Sequence, residues 1–116
     1  MLVEQRTYTT HPGKVREYLA LYEAEGLAVQ LRMLGRLVGY YQSEVGELNQ
    51  VVHLWAYESL DERSERRAAL LADPGFQGYV RKMLPLLVRQ ESRILRPAAF
   101  FAPRWQTTGD VTSITH

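Results

Sequence analysis

The residue in this 116-residue chain best suited to acid–base chemistry is a histidine in the middle of an apolar run. His53 lies in QVVHLWAY, residues 50–57. An imidazole with an ordinary pKa of about 6.5 gives or takes a proton near neutral pH. Strand alternation sends His53, Trp55 and Tyr57 to one side and Val52, Leu54 and Ala56 to the other. In VEQRTYTT, residues 3–10, the same alternation puts Glu4, Arg6 and Tyr8 on one side. A carboxylate, a guanidinium fork and a phenol in line suit an anionic or oxygenated ligand. They equally suit an Arg–Glu pair that satisfies itself in an interface, as His53 suits a structural hydrogen-bonded histidine. Trp55, Tyr57 and Tyr41 would wall an apolar pocket or pack against a partner. The expected ligand-binding set is therefore Glu4, Arg6, Tyr8, Tyr41, His53, Trp55 and Tyr57, with His53 as the catalytic candidate.

Other charged groups read differently. Arg89, Glu91 and Arg93 alternate along the last apolar run and would line a cavity rim or an interface edge. Arg63, Arg66 and Arg67 are interleaved with Glu62 and Glu65, the pattern of a solvated helix face. Glu44 and Asn49 flank a hairpin, and Asn49 reads as turn chemistry. With no cysteine, thiolate metal sites, disulfides and a Cys nucleophile are excluded. The three His, at 11, 53 and 116, are not spaced as paired metal ligands. There is no glycine-rich phosphate loop and no nucleophile elbow. Haem ligation would rest on His53 alone, and no cofactor is expected. Lys and Arg number 14 against 13 Asp and Glu, a net charge of +1 that gives no bulk electrostatic case for nucleic acid. No apolar run approaches the roughly 20 residues that span a bilayer. The start, MLVEQR, has no signal-peptide core, so a cytoplasmic location is expected.

The elements that must position these residues follow from periodicity and punctuation. Val3–Thr10 predicts a strand, ended by His11-Pro12-Gly13. Lys14 to about Met33 predicts a helix with Val15, Tyr18, Leu19, Tyr22, Val29 and Met33 on its apolar stripe. Gly26 interrupts that helix and Gly35 stops it. Leu37–Val45 and Gln50–Tyr57 predict a hairpin around Gly46-Glu47-Leu48-Asn49. Ser59 to Glu62 has capping-box spacing and opens a helix to about Ala72. Asp73-Pro74 opens another, ended by Pro85, before a last strand over Leu86–Leu95.

The order β-α-β-β-α-α-β is the split βαβ pattern of an α+β, ferredoxin-like domain with a four-stranded antiparallel sheet. Helices would cover one face of the sheet and leave the other bare. A bare face carrying Tyr8, Trp55 and Tyr57 is an aromatic patch that calls for cover. The expected cover is a second copy through a two-fold axis, giving a dimeric α+β barrel with an enclosed cavity. The other placement packs these aromatics under the helices. Residues 1–97 form the expected domain, and 98–116 an extension that wraps the dimer or stays mobile.

LNQVVHLWAYESLDER (48–63), QRTYTTHPGK (5–14), GRLVGYYQSEVG (35–46) and RQESRILRP (89–97) resemble the NIPSNAP family. That resemblance implies a ferredoxin-like unit of the dimeric α+β barrel kind. It implies little about reaction: related groups range from cofactor-free monooxygenases and isomerases to haem proteins. Two functions stay open. One is a homodimer holding a small, partly apolar molecule between its sheets, as a monooxygenase- or isomerase-like enzyme with His53 as acid or base. The other is a non-catalytic interaction module that uses the dimer surface or Phe100–Trp105.

Overall fold

The computed structural model describes residues 1–110. Four strands, β1 (Leu2–Thr10), β2 (Arg36–Gln42), β3 (Gln50–Tyr57) and β4 (Leu87–Leu95), form one sheet in the order β2-β3-β1-β4. Every neighbouring pair is antiparallel. This is the ferredoxin-like architecture expected from the order of elements. The Thr-rich end from 111 to 116, including His116, lies outside the described residues.

The first helical stretch is not uniform. It runs as α1 (Val15–Leu21), a π-helical turn (Tyr22–Gly26) and α2 (Leu27–Leu34). Gly26 sits where a Cβ would lie 2.9 Å from the Tyr22 ring and 3.0 Å from the Tyr79 ring. The missing side chain is thus a packing requirement as well as an interruption. Strand β2 ends at Gln42, three residues short of the expected Val45, as the chain turns through Gly46 (φ 106°) and Asn49 (φ 63°). Asn49 also ties the first turn: its Oδ1 accepts from the Gly13 N–H at 3.0 Å and its carbonyl accepts from Thr10 N–H at 2.7 Å.

Helix α3 (Leu60–Ala72) begins at Ser59, whose hydroxyl accepts from the Glu62 N–H at 3.1 Å. Glu62 reaches back one residue further than a standard capping box, accepting from the Glu58 N–H at 2.9 Å. Helix α4 (Pro74–Met83) is capped by Asp73, which accepts from Phe76 N–H at 2.8 Å.

The register decides which face is covered. Glu4 opposes Trp55, Arg6 opposes His53 and Tyr8 opposes Val51, so all six side chains share one face. Tyr18 of α1 meets Tyr8 edge-on at 6.2 Å between ring centres, and Arg63 of α3 reaches Glu4. The helices therefore lie over Glu4, Arg6, Tyr8, His53, Trp55 and Tyr57. The sequence expectation had put these residues on the bare face, and the structure corrects it. The opposite face carries Gln5, Thr7 and Thr9 beside Val52 and Leu54, all part-exposed. The bulkiest aromatics go where a helix layer can bury them, and threonines line the face that stays open.

Candidate functional site

Under the helices lies a polar cluster within an aromatic core. Glu4 is fully buried, and its carboxylate is held from three directions. Arg63 donates through Nε to Oε1 at 3.0 Å and through Nη2 to Oε2 at 2.7 Å. Arg6 donates to Oε2 at 3.0 Å, and the Ser92 hydroxyl to the same oxygen at 2.6 Å. Burial alone would raise this carboxyl; the bonds from Arg63 and Ser92, with the charge of Arg6, overcome it and hold the pKa at about 2. Arg6 also donates to the Tyr8 hydroxyl at 2.9 Å.

His53 is 1% exposed. Its ring stacks on Tyr40 at 4.7 Å and meets Tyr8 edge-on at 4.8 Å. The Trp55 indole N–H donates to Nδ1 at 2.8 Å. Burial, then the charge of Arg6, pushes the imidazole pKa down to about 3, so it is neutral at pH 7. An indole nitrogen only donates, so Nδ1 must be the accepting nitrogen and the single ring proton sits on Nε2. That Nε2 is buried with no hydrogen-bond partner among the described residues, and so is the hydroxyl of Tyr57. Burial, then the charge of Glu4, raises the Tyr57 phenol to about 12, which keeps it a protonated donor.

Arg67 completes the cluster. It is half-buried on α3, and its charge acts on both His53 and Tyr57. It makes no hydrogen bond or ion pair among the described residues, and Glu4 is already accepting four bonds from other donors. Arg6 and Arg63 thus bond the one carboxylate, and Arg67 feels its charge without bonding it. The cluster reaches solvent at the β4 edge, where Ser92 is exposed and the Arg63 side chain is 25% exposed.

Six of the seven expected ligand residues are gathered here or packed directly against the cluster. Tyr41 is not: it pairs with Val52 on the opposite face, 62% exposed, its ring folded over Gly39. Arg63, Arg67, Ser92, Tyr18 and Tyr40 were missed. Arg63, Arg67 and the buried Leu70 fall at the i, i+4, i+7 spacing of one helix face, a signal the interleaved glutamates obscured. Arg66 donates to the Met33 carbonyl at 3.1 Å, closing the end of α2.

The open face has its own feature. Residues 96–106 leave β4, cross one end of the face and pair with β2, where Leu37 and Gln106 exchange backbone hydrogen bonds at 2.9 and 2.8 Å. Arg36 lies over the Trp105 ring at 5.7 Å. An apolar cleft of about 330 Å³ remains between this strap and the sheet, lined by Val3, Leu54, Leu95, Phe101 and Pro103. Arg89, Glu91 and Arg93 stand on the same face, opposite Thr9, Thr7 and Gln5. Among the described residues no group of His, Asp and Glu is arranged to hold a metal ion, and no helix is long and apolar enough to cross a membrane.

An antiparallel sheet in this order, backed by helices on one face, defines a ferredoxin-like α+β protein. The family model for NIPSNAP matches residues 3–102, and the chain belongs to that family. It is 36% identical over 97 residues to human Protein NipSnap homolog 2, covering 83% of this chain and 33% of that one. It is 35% identical over 94 residues to Protein NipSnap homolog of Dictyostelium discoideum, covering 81% of this chain and 41% of that one. The chain spans 18% to 41% of the length of the first curated relatives it matches. A crystal structure of a NIPSNAP-like domain protein from Burkholderia xenovorans superposes with a TM-score of 0.85 at 50% identity, covering 90% of this chain and 94% of that one. An antibiotic biosynthesis monooxygenase superposes with a TM-score of 0.59 at 13% identity, covering 84% of this chain and 99% of that one, a likeness of fold alone.

Proposed function

We propose that this NIPSNAP chain binds a small, partly apolar molecule through an oxygen-bearing group, between the sheet and the helices of each subunit. The observation that carries this is the pair of buried groups without a partner among the described residues, His53 Nε2–H and the Tyr57 hydroxyl, both within the field of Arg67. Buried polar groups are normally satisfied, and an exception calls for a missing partner. Here the missing partner is an acceptor. His53 enters this reading as an N–H donor that polarises an oxygen, since its other nitrogen is engaged by Trp55. The ligand site moves from between two sheets, where the sequence expectation had it, to within one subunit.

The open face supports the second half of the reading, a homodimer through the sheets. Val52, Leu54 and Tyr41 give it apolar area, and the Arg89-Glu91-Arg93 row can meet itself with opposite charges across a two-fold axis. Light scattering at micromolar concentration tests it: a 13.4 kDa particle would refute the dimer.

Thermal-shift measurement against small oxygen-bearing metabolites tests the ligand site. A binder at 100 times its dissociation constant adds about 2.7 kcal/mol of stability. Arg67→Ala and His53→Ala should each abolish the shift, and shifts that survive both variants refute the site. The interaction-module reading keeps one supporting observation, the 93% exposed Phe100 on the strap. It predicts no such shift.

A further inference from the structure

Resting on that ligand site, we infer that Trp55 is a specificity-determining positioning residue: by occupying His53 Nδ1 it fixes the ring as an Nε2–H donor, so the cluster takes a carboxylate and rejects its neutral amide.

The geometry leaves His53 little choice. Its stacked and edge-on neighbours, Tyr40 and Tyr8, offer ring faces and edges and hold it in one orientation. Among the described residues, the only polar contact its side chain makes is the indole N–H at Nδ1. An indole cannot accept, so the ring cannot turn its lone pair outward without losing that bond. What His53 offers is then a donor and no acceptor, Nε2–H; the Tyr57 hydroxyl, also unpartnered among the described residues, can donate or accept, and the Arg67 charge acts on both.

The one carboxylate nearby does not absorb them. Glu4 already accepts from Arg63 twice, from Arg6 and from Ser92, three of these bonds falling on Oε2, and none of its bonds comes from His53, Tyr57 or Arg67. Three guanidiniums around one carboxylate leave the site electropositive. A planar group with two acceptor oxygens and a negative charge matches it, offering an acceptor to each single donor and a counter-charge to the guanidiniums. A primary amide of the same shape brings no charge and one acceptor oxygen; of its two N–H hydrogens only one finds an acceptor, the Tyr57 oxygen, because His53 Nδ1 is taken by Trp55 and Nε2 carries the proton. Leaving one buried donor unpaired weakens binding by about tenfold or more.

The test uses full-length protein carrying ¹⁵N-histidine at pH 7, titrated with acetate and acetamide, then with benzoate and benzamide. The expected result has three parts. Wild-type His53 shows the Nε2–H tautomer. The carboxylates move its ring signals, with each amide at least about tenfold weaker. Trp55→Phe, which keeps an aromatic ring and removes the N–H, admits the other tautomer and brings the carboxylate-to-amide ratio close to one. A wild-type Nδ1–H tautomer, an amide that matches its acid, or a ratio unchanged in Trp55→Phe overturns the inference while leaving the ligand site standing. If no probe moves wild-type His53, the ligand site falls and the selectivity with it. Should Trp55→Phe fail to fold, the wild-type tautomer and ratio decide alone.

Discussion

The Arg63 guanidinium grips the Glu4 carboxylate side-on, at 3.0 and 2.7 Å, joining helix α3 to the first strand across 59 positions of sequence. That bond closes the sheet-to-helix layer over the polar cluster. It also makes Glu4 the counter-charge on which three arginines depend.

Removing Glu4 should therefore cost more than removing any one donor to it. Glu4→Ala leaves Arg6, Arg63 and Arg67 facing one another without compensation. We expect a loss of about 3–5 kcal/mol in urea unfolding. Ser92→Ala, which takes away one exposed hydroxyl, should cost about 1 kcal/mol. Equal losses in the two variants would contradict the arrangement.

Acid should weaken the fold in two stages. His53 has an ordinary value of 6.5 and a folded value of about 3, so the unfolded chain binds its proton first. Its contribution is complete above about pH 6.5 and drains as pH falls, by about 2 kcal/mol at pH 5. Glu4, held at about 2 against an ordinary 4.5, adds a second loss below about pH 4.5. Unfolding free energies measured from pH 7 to 5 should fall in the wild type. In His53→Gln they should stay nearly flat over the same range. Parallel slopes would show that His53 is not buried as a neutral ring.

Gly26→Ala should destabilise, although alanine favours helices elsewhere. The added methyl would press on the rings of Tyr22 and Tyr79 at 2.9 and 3.0 Å, in a buried layer with little slack. Overpacking of this kind costs about 1–3 kcal/mol. A gain in melting temperature would mean that the π-helical turn can relax to make room.

Truncation after Pro97 should lower the urea midpoint. It uncovers Val3 and Leu95 on the open face and removes the pairing at Leu37. A smaller loss, about 0.5–1 kcal/mol, is expected when Arg36→Ala removes only the contact with Trp105. Sedimentation of the truncated chain shows in addition whether the strap serves the dimer.

The fold was largely written in local signals. Asp73-Pro74, Gly35 and the alternation of QVVHLWAY place their element boundaries within a residue or so. Alternation also groups Glu4 with Arg6 and Tyr8, and His53 with Trp55 and Tyr57, as the register bears out. What it cannot say is which of two faces a helix will cover. Both faces of β3 are apolar, and the charges of Glu4 and Arg6 disguise the covered face of β1 as a wet one. Threonines 7 and 9 were the better guide, since small β-branched polar residues suit an open pleat. The pairing of Arg63 with Glu4 was out of reach for any local pattern, because only the finished layer brings them together.

The strap has one further consequence, for copies of the chain in crowded solution. Outer strands are templates on which fibrils start. By laying Gln106 against Leu37, the molecule uses its own tail to blunt the β2 margin. Among the described residues the β4 margin has no such bolt, and there the row of Arg89, Glu91 and Arg93 is left to keep stray neighbours from stacking.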